Sequence, residues 1–95
     1  MQELIKDLNK NERILFPVSF ELKVIMDGTI PDAVNKDNIE TVLKELEIPY
    51  QWKRNRLSAR GRYMSFTYHV TLDEYLKMEG LYNKLKVLPG IKFAV

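Results

Sequence analysis

Cysteine is absent from this 95-residue chain, and histidine occurs once, as His69. Without cysteine there is no disulfide framework, thiolate zinc site, iron–sulfur cluster or cysteine nucleophile. One histidine leaves only carboxylates as metal ligands, and no calcium-loop pattern occurs, so we expect neither a metal nor a cofactor. No run of about 18 apolar residues is present, so we expect no helix that spans a membrane.

The remaining composition is typical of one small globular domain, with 45% hydrophobic and 29% charged residues. The first 13 residues are charged throughout and lack the apolar core of a secretory signal. Together with the absence of cysteine, this predicts a cytoplasmic protein.

Positive charge is concentrated in one stretch. Residues 50–70 contain five basic side chains and no acidic one, although the whole chain has 15 basic and 13 acidic residues. Such a concentration could attract an anionic partner, or it could be the solvated surface of a hairpin loop. The five cations are Lys53, Arg54, Arg56, Arg60 and Arg62.

Apolar residues recur with period two in residues 18–26, 63–71 and 91–95, which is typical of strands that bury one face. Residues 50–58 are predicted as a further strand, followed by a hairpin turn at Arg60-Gly61. The predicted apolar positions are Phe20, Leu22, Val24, Met26, Phe66, Tyr68, Val70, Ile91, Phe93 and Val95.

Two segments have the residue spacing of amphipathic helices. Capping-box pairs at Asp37/Glu40 and Thr71/Glu74 predict that the helices begin near Asp37 and after Thr71, which leaves residues 29–36 as a loop. The predicted buried stripes are Ile39, Val42, Leu43 and Leu46 in the first helix, and Tyr75, Met78, Leu81, Tyr82 and Leu85 in the second.

The resulting order of elements is β-α-β-β-α-β. Two interlocked right-handed β-α-β units produce one sheet with both helices on the same face. We therefore predict an α+β, ferredoxin-like sandwich with a four-stranded antiparallel sheet in the order 4-1-3-2. Residues 16–95 form this domain, and residues 1–15 are predicted as an N-terminal arm or short helix.

Three groups of residues share their order and spacing with a known family. They are Phe16-Pro17 with Phe20 and Lys23-Val24, Gly61-Arg62-Tyr63 with Ser65, and Leu81-Tyr82 with Leu85, Leu88 and Ile91. Together they resemble the YbeD-like family over residues 16–95. The resemblance implies a small bacterial protein of unknown function with a ferredoxin-like, ACT-like fold, and it carries over no catalytic residue.

Catalysis has little support in the sequence. Ser65 and His69 are the only pair from which a serine–histidine arrangement could be built. They lie four residues apart on one strand, so their Cα atoms are about 13 Å apart, too far for a hydrogen bond between the side chains. We expect a non-enzymatic protein.

Nucleic-acid binding is the alternative function. The segment from Arg60 to Phe66 resembles the Arg-Gly-aromatic signature of RNA-recognition motifs. Arg62 interrupts that signature, and the next outward position is Ser65 where a second stacking ring is expected. The basic hairpin over residues 53–62 could still contact phosphates without reading bases.

Protein binding or regulation is the leading interpretation. Gly28 follows the first strand, where ACT domains bind amino acids, although a glycine there could equally serve a turn with positive φ. Trp52 could anchor an interface or close the edge of the core, and we favour the core edge. A homodimer is possible. The polar residues predicted on the open face of the sheet are Lys23, Ser65, Thr67, His69 and Lys92.

Overall fold

The alternating segments of the chain pair into one antiparallel sheet with the order β2-β3-β1-β4. The computed structural model describes residues 15–95, so most of the arm predicted for residues 1–15 lies outside the described residues. The order β-α-β-β-α-β and the ferredoxin-like α+β fold are confirmed. The elements are β1 (Val18–Asp27), α1 (Asp32–Glu45), β2 (Tyr50–Leu57), β3 (Tyr63–Leu72), α2 (Tyr75–Leu85) and β4 (Ile91–Ala94).

The core lies between the helices and one face of the sheet. In the central pair of strands, Leu22 is opposite Tyr68 and Val24 is opposite Phe66, and all four side chains are fully buried. Both helices contribute their predicted stripes, except that Leu46 is only half-buried at the margin and Tyr75 is not part of the core. The buried hydrophobic residues from the helices are Ile39, Val42, Leu43, Met78, Leu81, Tyr82 and Leu85.

Helix α1 begins at Asp32, five residues before the position predicted from Asp37. The capping box is not formed, because Asp37 lies within the helix and the Glu40 carboxylate accepts hydrogen bonds from two tyrosines instead. Pro31 precedes the helix, and its carbonyl accepts from two backbone N–H groups of the first turn. Proline suits a helix start because its own missing N–H would have no partner there.

Helix α1 ends in a Schellman motif. The Glu47 N–H donates to the Lys44 carbonyl at 3.0 Å, and the Ile48 N–H donates to the Leu43 carbonyl at 2.9 Å. Glu47 has a φ of 55°, in the left-handed region where glycine is usually found. The motif turns the chain directly into β2.

The second predicted capping box is also not formed. Glu74 occupies the N-cap position of α2 without a side-chain hydrogen bond. The Thr71 hydroxyl lies 2.8 Å from the Ser19 hydroxyl across the β1–β3 pair. Thr71 is still inside β3 and faces its strand neighbour, so it cannot turn towards the helix.

Strand β4 has a bulge that reverses the predicted faces of the residues after Lys92, while Ile91 packs against the core as expected. Ile91 is opposite Met26 and Phe93 is opposite Ile25, which leaves Lys92 as the extra residue. Ala94 is therefore buried on the core side, while Phe93 and Val95 are exposed. The expectation that Phe93 and Val95 join the core was wrong. Within residues 15–95 no helix is long and apolar enough to cross a membrane.

Candidate functional site

The sheet face that the helices leave uncovered, called the open face below, is organised in cross-strand rows. One row runs Arg56, Ser65, Ile25 and Phe93 from β2 to β4, as the pairing registers show. Partners opposite one another in adjacent strands share a face, so these four side chains lie side by side. The next row brings together Arg54, Thr67 and Lys23.

A shallow trough of about 260 Å³ lies in the open face. Ser65 is 7% exposed and forms part of the floor with Ile25, while Tyr63 and Phe93 are 41% and 55% exposed at the sides. Arg56 on β2 lies opposite Ser65, and Lys23 on β1 lies one row away, opposite Thr67; both side chains line the trough. The trough thus combines an apolar centre with two cations.

The cations of the trough have no acidic partner within the described part of the chain. Of the ion pairs among residues 15–95, none includes Lys23 or Arg56. Arg54, one row away, lies 3.5 Å from a Glu21 carboxylate oxygen, and both side chains are more than half exposed. A pair this exposed contributes little to stability, so Arg54 can change partners at low cost.

Asp27, at the end of β1, is held in place by hydrogen bonds. Its carboxylate accepts from the Thr29 N–H at 2.8 Å and from the Thr29 hydroxyl at 2.7 Å. These two hydrogen bonds lower the pKa of Asp27, with a smaller contribution from Lys92. The Lys92 ammonium also lies 5.9 Å from the centroid of the Tyr63 ring. This corner of the open face therefore has one fixed negative charge beside a lysine.

The five cations predicted as one patch are divided among three places. Arg54 and Arg56 lie on the open face, while Lys53 sits at a bulge of β2 and is exposed. Arg60 and Arg62 are exposed in the turn between β2 and β3. Only Arg56 of the five reaches the trough, so the sequence cluster is not one continuous surface.

Gly28 does not serve a turn with positive φ, the structural role considered for it from the sequence. Its φ is not in the positive range, which only Gly61 and Gly90 among the glycines adopt. A Cβ atom there would lie 2.7 Å from the Gly61 carbonyl oxygen and 2.9 Å from the Arg62 carbonyl carbon. The hairpin backbone therefore occupies the space next to Gly28, and glycine is needed for close approach rather than for an unusual turn.

His69 and Ser65 are not brought together. They face Gln51 and Arg56 of β2, respectively, with the Thr67 row between them. The Ser65 hydroxyl donates to the Arg56 carbonyl at 3.2 Å. His69 contributes to a separate shallow depression with Pro49, Gln51 and others. Among residues 15–95, no three His, Asp or Glu side chains are grouped as a metal site would require.

Trp52 lies on the helix side of the edge strand β2. Its indole N–H donates to the Asn55 side-chain carbonyl at 2.8 Å, and the Lys36 ammonium of α1 lies 4.8 Å from its ring centroid. The ring is 43% exposed, so it partly covers the margin of the core. Beneath it, Glu40 accepts hydrogen bonds from the Tyr50 and Tyr68 hydroxyls at 3.2 and 3.0 Å.

Sequence reasoning placed Lys23 and Ser65 on the open face and missed the apolar side chains beside them. Ile25 follows from strict alternation along β1, because Val24 and Met26 on either side of it point into the core. Tyr63 follows in the same way from β3. Phe93 could not be found by alternation, because the bulge at Lys92 reverses the pattern.

Comparison with other proteins finds relatives over most of the chain. Residues 11–95 match the family described as protein of unknown function, DUF493. A UPF0250 protein of Shewanella piezotolerans is 31% identical over 86 residues, and one of Shewanella woodyi is 32% identical over 88 residues. Each alignment covers 90% of this chain and 94% of the relative.

Two solved structures share the fold. The solution structure of protein HP0495 from H. pylori has a TM-score of 0.71 and 15% identity, covering 90% of this chain and 89% of that one. The C-terminal domain of the MgtC protein from Mycobacterium tuberculosis has a TM-score of 0.65 and 16% identity, covering 83% and 84%. At these identities, the similarity is evidence of the fold alone.

Proposed function

This chain belongs to the DUF493 family, and on that premise we propose that it is a non-enzymatic domain that binds an acidic partner protein through the open face of its sheet. Family membership confirms the YbeD-like resemblance seen in residues 16–95. The family is one of unknown function, so the proposal stands on the chemistry of the face itself. Any regulatory role would follow from this binding.

The observation that carries the proposal is that two cations without an acidic partner among the described residues lie beside an apolar trough. Lys23 and Arg56 line the trough, with the exposed rings of Tyr63 and Phe93 at the sides. Aromatic residues and arginine are enriched in the centres of protein interfaces. An acidic partner side chain could pair with the two cations while an apolar neighbour covers the rings, which supplies both steering and contact area.

The shape of the trough favours a macromolecule over a small ligand. Small-molecule sites usually enclose most of the ligand surface. Here the floor is one layer of sheet side chains and nothing covers it among the described residues, so a small ligand would remain largely in solvent. A protein surface can cover the trough and the adjacent Arg54 and Lys92 together.

The chemistry of the hydroxyl and imidazole groups supports a binding role rather than catalysis. The Ser65 hydroxyl donates to a backbone carbonyl, and the Thr67 row separates it from His69. A serine nucleophile needs a base within hydrogen-bonding reach, and this arrangement does not provide one.

The experiment compares two variants with equal changes in charge. Lys23→Ser with Arg56→Ser removes the cations of the trough, whereas Arg60→Ser with Arg62→Ser removes two cations from the hairpin tip. Each full-length variant captures proteins from a nuclease-treated lysate of the source organism, and mass spectrometry quantifies the bound proteins.

Loss of acidic partners from the trough variant, with retention by the tip variant, is the expected result. The folds should be equally stable, because exposed charges contribute little to stability. Loss only from the tip variant would move the binding site to the hairpin, and retention by both variants would contradict the proposal.

Nucleic-acid binding is the second candidate, because Tyr63 and Phe93 place two rings among the cations of the open face. Bases could stack on such rings while the cations contact phosphates. Glu21 and Asp27 on the same face oppose a polyanion, which makes this candidate weaker. Titration with a labelled 20-nucleotide oligothymidylate at several salt concentrations tests this second candidate function, because nucleic-acid affinity falls steeply with salt.

A further inference from the structure

The two edges of the sheet differ in how they are protected against another strand. The outer strand β2 carries Lys53, Arg54 and Arg56 and has a bulge, both of which discourage pairing. The other edge is β4, where Phe93 is 55% exposed and Lys92 is the one charged side chain. The β4 edge is short and has its own bulge at Lys92, but it carries one charged side chain where β2 carries three.

Backbone groups of Ala94 point away from the sheet. Lys23 and Val95 exchange two hydrogen bonds, each of 2.9 Å, and so form a hydrogen-bonded pair between β1 and the end of β4. In an antiparallel ladder such pairs alternate with pairs whose backbone groups face outward. Ala94, opposite Val24, is the outward-facing neighbour, so its N–H and C=O lie along the free edge.

An apolar groove of about 260 Å³ runs beside this edge, between β4 and the C-terminal part of α2. Its walls include Tyr82, Leu85 and Ala94, and Lys86 and Lys92 also line it. Burial raises the pKa of the Tyr82 hydroxyl, which therefore stays neutral in the groove wall. Neither lysine forms an ion pair with the described residues.

We propose that the free edge of β4 accepts an extended segment of the partner protein as a fifth strand, in which apolar residues alternate with acidic ones. The proposal rests on the proposed function and specifies how the partner binds. Side chains alternate along a strand. The apolar side chains of the segment would therefore enter the groove, while its acidic side chains would lie on the open face near Lys92 and Phe93.

Charge selects the occupant of the edge. The groove has two lysines and no acid in its lining, and Lys23 lies on the open face nearby. A second copy of this chain paired through β4 would bring lysines 86 and 92 of each copy close to those of the other. Like charges so placed oppose association, whereas an acidic segment is attracted.

The test uses the 15N-labelled full chain and a synthetic peptide, acetyl-(Val-Glu)4-amide, followed by NMR. The expected result is that the amide of Ala94 shifts and becomes at least about tenfold more protected from hydrogen exchange. The amide of Val95, already bonded to Lys23, should change little. The control peptide acetyl-(Val-Lys)4-amide should leave both amides unchanged.

The variant Ala94→Pro removes the outward N–H without removing a hydrogen bond to β1, and proline is tolerated at such edge positions. It should weaken binding of the Val-Glu peptide by about tenfold or more. If this variant does not fold, hydrogen exchange of the Ala94 amide in the unmodified chain still tests the proposal. Protection at β2, equal effects of both peptides, or protection of Ala94 that grows with protein concentration alone would each overturn the proposal.

The trough variant separates this inference from the proposed function. If the acidic partner is captured through Lys23 and Arg56 but the Ala94 amide stays unprotected, the added strand is wrong and the open-face function survives. If the Ala94 amide is protected by the peptide but the trough variant keeps all its partners, the open-face function fails instead.

Discussion

Gly28 donates its backbone N–H to the carbonyl oxygen of Arg62 at 2.7 Å, so the turn after β1 is fastened to the tip of the β2–β3 hairpin. The contact is backbone against backbone, with no space for a side chain on Gly28. It fixes the hairpin tip beside the open face, where Tyr63 begins β3. Two turns that are distant in sequence therefore support one another next to the candidate site.

The variant Gly28→Ala should be destabilised by about 1–3 kcal/mol, because its Cβ would be pressed against hairpin backbone that cannot move aside easily. Urea unfolding measures the change. Gly80→Ala, within α2, is the matched control: its Cβ would lie 3.5 Å from a methyl group of Leu46 at the end of α1, which is an ordinary contact. That control should be stabilised by about 0.5–1 kcal/mol, and equal effects of the two variants would contradict this account of Gly28.

Truncation of Leu81 tests the packing of α2 on the sheet. Leu81 is fully buried, so Leu81→Ala should cost about 2–5 kcal/mol of unfolding free energy. Leu76 is on the same helix and 69% exposed, so Leu76→Ala should change stability by no more than about 0.5 kcal/mol. A loss below about 1 kcal/mol for Leu81→Ala would mean that a different face of α2 is buried.

Replacing Glu47 by glycine should stabilise the protein. Glu47 adopts a left-handed φ of 55°, which costs a residue with a Cβ on the order of 1 kcal/mol. We expect Glu47→Gly to gain about 0.5 kcal/mol after the greater chain entropy of glycine is subtracted. Glu47→Ala removes the same carboxylate but keeps the Cβ, so a gain of equal size in that control would assign the effect to charge.

The environment of the Tyr68 hydroxyl predicts that the protein loses stability in alkaline solution. Burial raises the pKa of the Tyr68 hydroxyl, and the adjacent Glu40 carboxylate raises it further. Because the pKa is raised, the stabilisation that the protonated Tyr68 hydroxyl provides is fully present below the ordinary tyrosine pKa of about 10. It declines as the pH rises above that value. The comparison is urea unfolding of the unmodified chain and Tyr68→Phe between about pH 8 and pH 11.

At about pH 8 the phenylalanine variant should be less stable by about 1 kcal/mol, because it lacks the hydrogen bond to Glu40. Its disadvantage should shrink above about pH 10, since phenylalanine does not titrate. A difference that stays constant over this range would show that Tyr68 does not contribute to the alkaline transition.

Periodicity was sufficient to predict the layers of the fold. Leu22 and Val24 alternate with polar residues, and Leu81 and Leu85 recur at helical spacing, so their buried faces could be derived before any contact was known. Helix starts were harder. Asp37 and Glu40 have the spacing of a capping box, but Glu40 is drawn to the hydroxyls of Tyr50 and Tyr68, which lie on other elements.

The sequence by itself determined the order of elements, most of the core and the family, because these depend on local spacing and on residue types that recur in relatives. The arrangement of the open face was decided by tertiary structure. Bulges at Lys53 and Lys92 shift the strand registers, so that Arg56 and Phe93 meet in one cross-strand row. A single inserted residue exchanges the two faces of a strand, and only pairing with its neighbours shows where that insertion lies.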